Sequence, residues 1–289
     1  MKWAKFKNLK ERQKLINDKF LSLSNSFNDD FYRKIFLYEY VKLNSCSCYV
    51  VSATCERCNT RHFVGFSRCK SRFCLVCNTV RTVKYIKKVL EVSNLDVNNY
   101  FHCVLTLKNY DDLDKMLDDI NMFWRDFYNG DRTFRVNFKQ RFIGGLRSTE
   151  IKRGNNLKWH VHLHLLLITS KEFRKDFDFL KDRWKKVTDG LGSVFIKQAK
   201  DYDVVVEVIK YITNLEKVSL GDLGEIYLNV KNRRLVSSLG ILRGVEKKIE
   251  SEMDSSVDDD IDFVCKVCGY DKYKFETLLY SDVDDMLDL

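Results

Sequence analysis

The chain contains no proline, and only 12 of its 289 residues are glycine. Without proline no turn is preset by a locked φ, so Gly, Asn and Asp must mark the turns. Long apolar runs are also missing. None reaches the ~18 residues of a membrane-spanning helix, so no membrane segment is expected. The first residues, MKWAKFKNLKERQK, lack the apolar stretch of a secretory signal, and a cytoplasmic location is expected. Histidine is scarce too, with five in the whole chain.

What is abundant is positive charge. The formal net charge is +9. It is uneven: residues 251–289 hold 12 acidic and 3 basic side chains, which leaves residues 1–250 with a net of +18. A body this basic points to a polyanionic partner such as nucleic acid. The 45% hydrophobic content suffices for one large domain, or a domain with an added module.

Three of the five histidines fall in one stretch, WHVHLHLLLI, from Trp159 to Ile168. Alternation of period two puts His160, His162 and His164 on one face of a strand. Val161, Leu163 and Leu165 then face a core. Neutral imidazoles side by side gain little from packing, whereas histidine is the commonest metal ligand. A strand rises about 3.3 Å per residue, so the outer two of the three stand ~13 Å apart. One ion can therefore take His160 with His162, or His162 with His164. The third ligand must come from elsewhere. FIGGLRSTEI, from Phe142 to Ile151, reads as a second strand, and RGNNLK, from Arg153 to Lys158, as the turn between them. A hairpin of the two brings Glu150 beside the histidines, so Glu150 is the expected third ligand. Two imidazoles and a carboxylate leave positions open for substrate oxygens, as a catalytic site requires.

Ten cysteines include three CxxC pairs, which favours metal over disulfides in a chain without a secretory signal. Cys55/Cys58 and Cys74/Cys77 are separated by 15 residues, the usual spacing for a tetrahedral zinc ribbon. Cys69, Cys46, Cys48 and His62 are further ligands in range, Cys69 foremost. Cys265/Cys268 is a third knuckle. It is half a site completed by Cys46/Cys48, a degenerate ribbon, or nothing. Arginines, among them Arg72 and Arg81, alternate with phenylalanines around the cysteines, a mixture suited to phosphate contact and base stacking. Lys108 and Arg147 are further candidate DNA contacts on the flanking strands.

The remaining pattern is mixed. Residues 1–43 read as helical with a break at Asn28–Asp30, and Phe20, Leu23, Phe27, Phe31, Ile35, Phe36, Tyr38 and Val41 recur at helical spacing. Helices are expected over Val80–Val92, Asp111–Tyr128 and Phe173–Val187, and strands over Tyr100–Lys108 and Gly192–Gln198. Asp203–Leu215, DVVVEVIKYITNL, reads as a helix on which Glu207 and Tyr211 share a face beside Lys210. Residues 231–240 suggest a basic hairpin or strand, and residues 250–262 an acidic linker.

These residues suit one reaction. An ion held by Glu150 and two histidines would polarise a phosphodiester, and Tyr211 would attack phosphorus. A neutral phenol is a poor nucleophile, and Lys210 or the ion would lower its pKa. Glu207 would serve as general base for a water in a second cleavage. Hard, oxygen-rich substrates favour Mg²⁺ or Mn²⁺.

The segments VLTLKN, GGLRSTEIKRGNNLKWHVHLHLLL and DVVVEVIKYITN resemble, in order and spacing, the three motifs of rolling-circle plasmid replication initiators of the HUH endonuclease superfamily. The likeness is to the group with a single tyrosine and a glutamate four residues before it, and it covers about residues 55–245. It implies that His162 and His164 are the metal pair, Tyr211 the nucleophile and Glu207 the base. It also matches Cys69–Cys77 to a zinc knuckle and RRLVSSLG to the stretch after the catalytic helix. Val161 and Leu75 stand where the family often has proline. The implied fold is α+β: a central antiparallel sheet of HUH type with flanking helices, plus a small zinc module. The expected divisions are an N-terminal helical segment (1–45), a zinc module with its connecting helix (46–95), a nuclease domain (96–248) and an acidic linker with a CxxC tail (249–289). The implied activity is nicking of one strand at a plasmid or viral origin, with a 5′-phosphotyrosine link and a helicase as partner. A transposase or relaxase shares this chemistry, and a non-catalytic zinc-ribbon DNA-binding regulator is the rival of a different class.

Overall fold

Strand periodicity and helix periodicity alternate along the chain, and the fold follows that alternation. The computed structural model describes residues 3–93, 96, 99–154, 156–169, 176–201, 203–209, 215–254 and 264–282. It is α+β and divides into two units. One comprises Met1–Arg81, Leu215–Leu220 and Glu250–Leu289; the other comprises Thr82–Asn214 and Gly221–Ile249. The C-terminal segment, expected to stand apart, thus groups with the cysteine-rich N-terminal part.

The first unit opens with helices α1 (Trp3–Ser26) and α2 (Asp30–Asn44). The break between them is set by Asp29, whose carboxylate accepts the backbone N–H groups of Phe31 and Tyr32 at 2.8 and 3.3 Å as an N-cap. Phe20, Phe36 and Leu43 are fully buried, and Phe27 stacks on Phe36 at 5.4 Å. Phe31, Tyr38 and Val41, which share the helical spacing, are exposed. Strand β1 (Tyr49–Cys55) pairs with β2 (Arg61–Phe66) on one side. On its other side it pairs with the far C-terminal strand β8 (Tyr273–Leu279), which the sequence pattern did not reveal. The order is β2-β1-β8, all antiparallel.

The second unit is built on five antiparallel strands in the order β6-β3-β5-β4-β7. They are β3 (Tyr100–Leu107), β4 (Phe142–Arg153), β5 (Trp159–Thr169), β6 (Gly192–Gln198) and β7 (Val236–Gly240). The histidine strand β5 is central. Val161, Leu163, Leu165 and Leu167 are almost completely buried on one face, as the alternation requires. Helices α4 (Leu113–Tyr128) and α6 (Asp178–Val187) bury Met116, Leu117, Ile120, Trp124 and Trp184. The indole N–H of Trp184 donates to the Thr106 carbonyl at 3.0 Å, which ties α6 to β3. Between them lies α5 (Arg132–Arg141), a short basic helix that the sequence reading left without an element.

The histidine face is apolar at its other end. There Leu146, Leu166 and Ile168 form a buried cluster with α3 (Leu75–Ser93), α7 (Asp203–Ile209) and α9 (Val245–Glu252). Val204, Val205, Val208 and Ile209 are the buried face of α7. Ser148 also donates a hydrogen bond to the carbonyl of Val208, anchoring the end of the helix to β4. The remaining helix is α8 (Leu220–Val230). No helix among the described residues is long and apolar enough to cross a membrane.

Leu166 is fully buried where β5 meets α7, whereas Phe195 on edge strand β6 is 59% exposed. Leu166→Ala should therefore cost about 2–5 kcal/mol of stability. Phe195→Ala should stay within ~0.5 kcal/mol. Urea denaturation of the two variants checks the difference.

Candidate metal centre

The β4–β5 register builds the site. Glu150 lies directly opposite His162, Ser148 opposite His164, and Lys152 opposite His160. Their side chains therefore share a face. Glu150 Oε2 stands 2.9 Å from His164 Nε2 and 3.6 Å from His162 Nδ1. One ligand atom from each of Glu150, His162 and His164 lies within 4.8 Å of the others. Glu150 and His164 are buried, and His162 is half-buried. Two imidazole nitrogens and a carboxylate oxygen suit a divalent ion that keeps exchangeable positions. The expected hairpin and the expected third ligand are thus brought together.

Burial would raise the pKa of Glu150, but hydrogen bonding to His162, His164 and Lys152 outweighs it and holds the carboxyl well below its usual range. The Lys152 ammonium sits 2.9 Å from the same oxygen. Glu150 is therefore an anion at neutral pH.

Beside it stands a histidine that the sequence reading had passed over. His102 on β3 is 2% exposed and stacks on His164 with ring centroids 5.1 Å apart. Its Nε2 and the Nδ1 of His164 share a hydrogen bond of 2.9 Å. Burial pulls the His102 pKa down to about 4, so its ring is neutral at pH 7. A neutral His102 can accept the Nδ1–H of His164, which leaves the Nε2 of His164 free as a ligand; such partners orient metal-binding imidazoles. His102 Nδ1 is buried without a hydrogen-bond partner and faces Glu207 Oε2 at 3.7 Å. Glu207 lies equally close, at 3.7 Å, to the ammonium of Lys197. Helix α7 thus brings Glu207 to the edge of the histidine cluster.

His160 lies outside the three-ligand group. Its Nδ1 bonds to Asn109, its Nε2 faces that of His162, and the two rings meet edge-on at 4.1 Å. With Asn109, Lys152, Arg153, Gly154 and Asn156 it lines an open pocket. Lys210 and Tyr211 lie outside the described residues. Lys108 is exposed at the end of β3, and Arg72 is half-buried in the other unit. Two expected DNA contacts are displaced. Arg147 is buried on the face opposite the histidines, its guanidinium 5.5 Å from the ring centre of Trp124. Burial draws its pKa down to about 10. Arg81 is also buried, bonded to Glu250 at 2.8 Å and to the Asn78 side chain at 2.9 Å. Arg81 is held by these internal partners, whereas Arg147 donates to the Arg234 carbonyl at 3.4 Å and keeps its Nε buried without a hydrogen-bond partner.

The cysteines sort into two groups of four. Cys74 and Cys77 meet Cys46 and Cys69, with sulfur–sulfur distances of 3.4 Å (Cys74–Cys46), 3.6 Å (Cys46–Cys77) and 3.8 Å (Cys69–Cys77). Hydrogen bonds from the neighbouring thiols drive the Cys46 pKa far down, while Cys69 and Cys74 are driven up. Four thiolates this close cannot coexist without a cation. Cys55 and Cys58 do not join Cys74 and Cys77, as their spacing suggested, but stand with Cys265 and Cys268. Cys48 bonds the Asn44 carbonyl and belongs to neither group. Both groups, like the Glu150 site, have donors fit to hold metal.

The residues missed by sequence reasoning share one property: their partners are remote. His102 and His164 are 62 positions apart. The alternation of β3 puts His102 on one face with Val104 and Thr106, but only the β3–β5 pairing shows which face that is. No protein-family model, curated protein or solved structure matches the chain.

Removing a ligand and removing its support should differ in degree. His164→Ala should abolish Mn²⁺ binding at this site, whereas His102→Ala should weaken it about 10–100-fold. Titration followed by the electron paramagnetic resonance signal of free Mn²⁺ measures both.

Proposed function

We propose that the protein is a metal-assisted DNA strand transferase of the rolling-circle initiator type, which nicks one strand and becomes joined to it through Tyr211. The observation that carries this reading is the convergence of Glu150, His162 and His164 on one sheet face, with Glu207 of α7 at its border. The basic body of the chain supports a polyanionic substrate. The donor set fits a divalent ion, Mg²⁺ or Mn²⁺, which when bound would supply Lewis acidity toward a phosphate oxygen.

The residues then divide the work. Glu150 and Lys152 fix the charge balance at the sheet, and His102 holds His164 in orientation. Tyr211, two positions beyond the last described residue of α7, attacks phosphorus through its phenol oxygen. The new bond is tyrosine O–P, and the bond that breaks is P–O3′. The phenol proton is lost and the 3′ oxygen leaves as a hydroxyl. Lys210 favours the phenolate. In a second cleavage Glu207 takes the proton of an attacking water, so that the chain is not left joined to the second strand end.

The test uses end-labelled single-stranded oligonucleotides from a random library, incubated with the full chain and Mn²⁺ and resolved on a denaturing gel. The wild type should give a covalent adduct. Tyr211→Phe should lose it while retaining DNA binding, and Glu207→Gln should keep it but slow hydrolytic release about 10²–10⁴-fold. DNA binding with no adduct from the wild type would instead favour a non-catalytic zinc-ribbon regulator.

A further inference from the structure

The strand least accounted for by packing is β8. Among the described residues it lies at the edge of its sheet and pairs only with β1. None of its seven residues is buried, and Phe275 and Leu279 are about half exposed. Among residues 264–281 the one buried side chain is that of Cys265. Apolar burial therefore does not explain why a segment 213 positions from Cys55 closes onto it.

The two CxxC turns that meet there have the same shape. In the first, the N–H of Asn59 donates to the Cys55 carbonyl at 2.9 Å, and the N–H of Cys55 to the Thr60 carbonyl at 2.9 Å. In the second, Gly269 donates to Cys265 at 2.7 Å, and Cys265 to Tyr270 at 2.8 Å. The residue after the second cysteine is left-handed in both, with φ of 56° at Asn59 and 68° at Gly269. Asn and Gly are the residues that tolerate that conformation best. The Cys58 sulfur also lies 3.0 Å from the Thr60 hydroxyl. Arg57 of the first turn lies over the ring of Tyr270 in the second at 4.3 Å.

The sulfurs face one another across the two turns. Cys55 and Cys268 are 3.5 Å apart, as are Cys58 and Cys265. A zinc ion with bonds of about 2.3 Å in a tetrahedron separates its sulfurs by roughly 3.8 Å. A disulfide would need ~2.05 Å. The observed spacing is that of ligands around an ion. The donors are all sulfur, and four of them close the coordination sphere, as structural sites do.

We infer that Cys55, Cys58, Cys265 and Cys268 form a structural zinc site, separate from the Cys46/Cys69/Cys74/Cys77 group, which fastens the C-terminal strand β8 to β1. The metal takes the place of the apolar core that this edge of the sheet lacks. The site does not depend on the proposed DNA chemistry.

Cobalt(II) substitution of the full chain under reducing conditions reads thiolate sites alone, through the sulfur-to-cobalt charge-transfer band. The wild type should take up two thiolate-bound ions. Cys265→Ser combined with Cys268→Ser should halve the band and leave one ion per chain, and Cys48→Ser should change nothing. An unchanged band in the double variant overturns the inference, as does a Cys55–Cys268 disulfide in the reduced protein. A second measurement covers a variant that misfolds. In the wild type, chelation followed by hydrogen exchange should strip protection from Tyr273–Leu279 while β3 and β5 keep theirs. Retained protection in β8 after loss of the metal overturns the inference equally.

Discussion

The antiparallel register of β4 on β5 governs the grouping of Glu150, His162 and His164. A strand has period two, so a slip of one residue sends every side chain to the opposite face. Glu150 would then leave the imidazoles for an apolar interior. What prevents the slip is the other side of the same strand. Val161, Leu163, Leu165 and Leu167 are almost fully buried, and no neighbouring register keeps them so. The hydrophobic face thus specifies the polar one. Burial of a carboxylate is costly unless it is paired, and Glu150 is paired by two imidazoles and an ammonium.

The same face is divided along its length. At one end it is aliphatic and covered by α3, α7 and α9. At the other it carries four of the five histidines of the chain: His102, His160, His162 and His164. Helix α7 stands at the boundary. Its valines belong to the covered end, and Glu207 reaches toward the polar end. The packing that stabilises the sheet therefore also positions the acidic group nearest the imidazoles. Exposure increases from His102 to His160, so the cluster leads from the interior toward solvent.

Much of this was legible in the sequence because it is local. Alternation revealed the histidine face, and the short turn at 153–158 revealed Glu150, since a hairpin leaves little choice of partner. The break at Asp29 was visible through turn chemistry. What escaped notice depended on contacts between distant segments. His102 lay in an expected strand, but its neighbour was unknown until β3 paired with β5. Spacing alone suggested joining Cys55/Cys58 to Cys74/Cys77. It carried no information about a pair more than 200 positions away. Charge misled at Arg81 and Arg147, because composition says nothing about which side a guanidinium faces. The short helix α5 was missed because its aromatic residues, Phe134 and Phe138, are set among basic and polar ones.

The small sheet has a consequence for biosynthesis. Strand β8 emerges from the ribosome more than 200 residues after its neighbour β1. During that interval β1 can pair only with β2, and one of its edges is left open. The five strands of the larger sheet are all made before residue 241 and can assemble while translation continues. The three-stranded sheet is thus completed only after the larger one, and Cys55 and Cys58 meet Cys265 and Cys268 only at that stage.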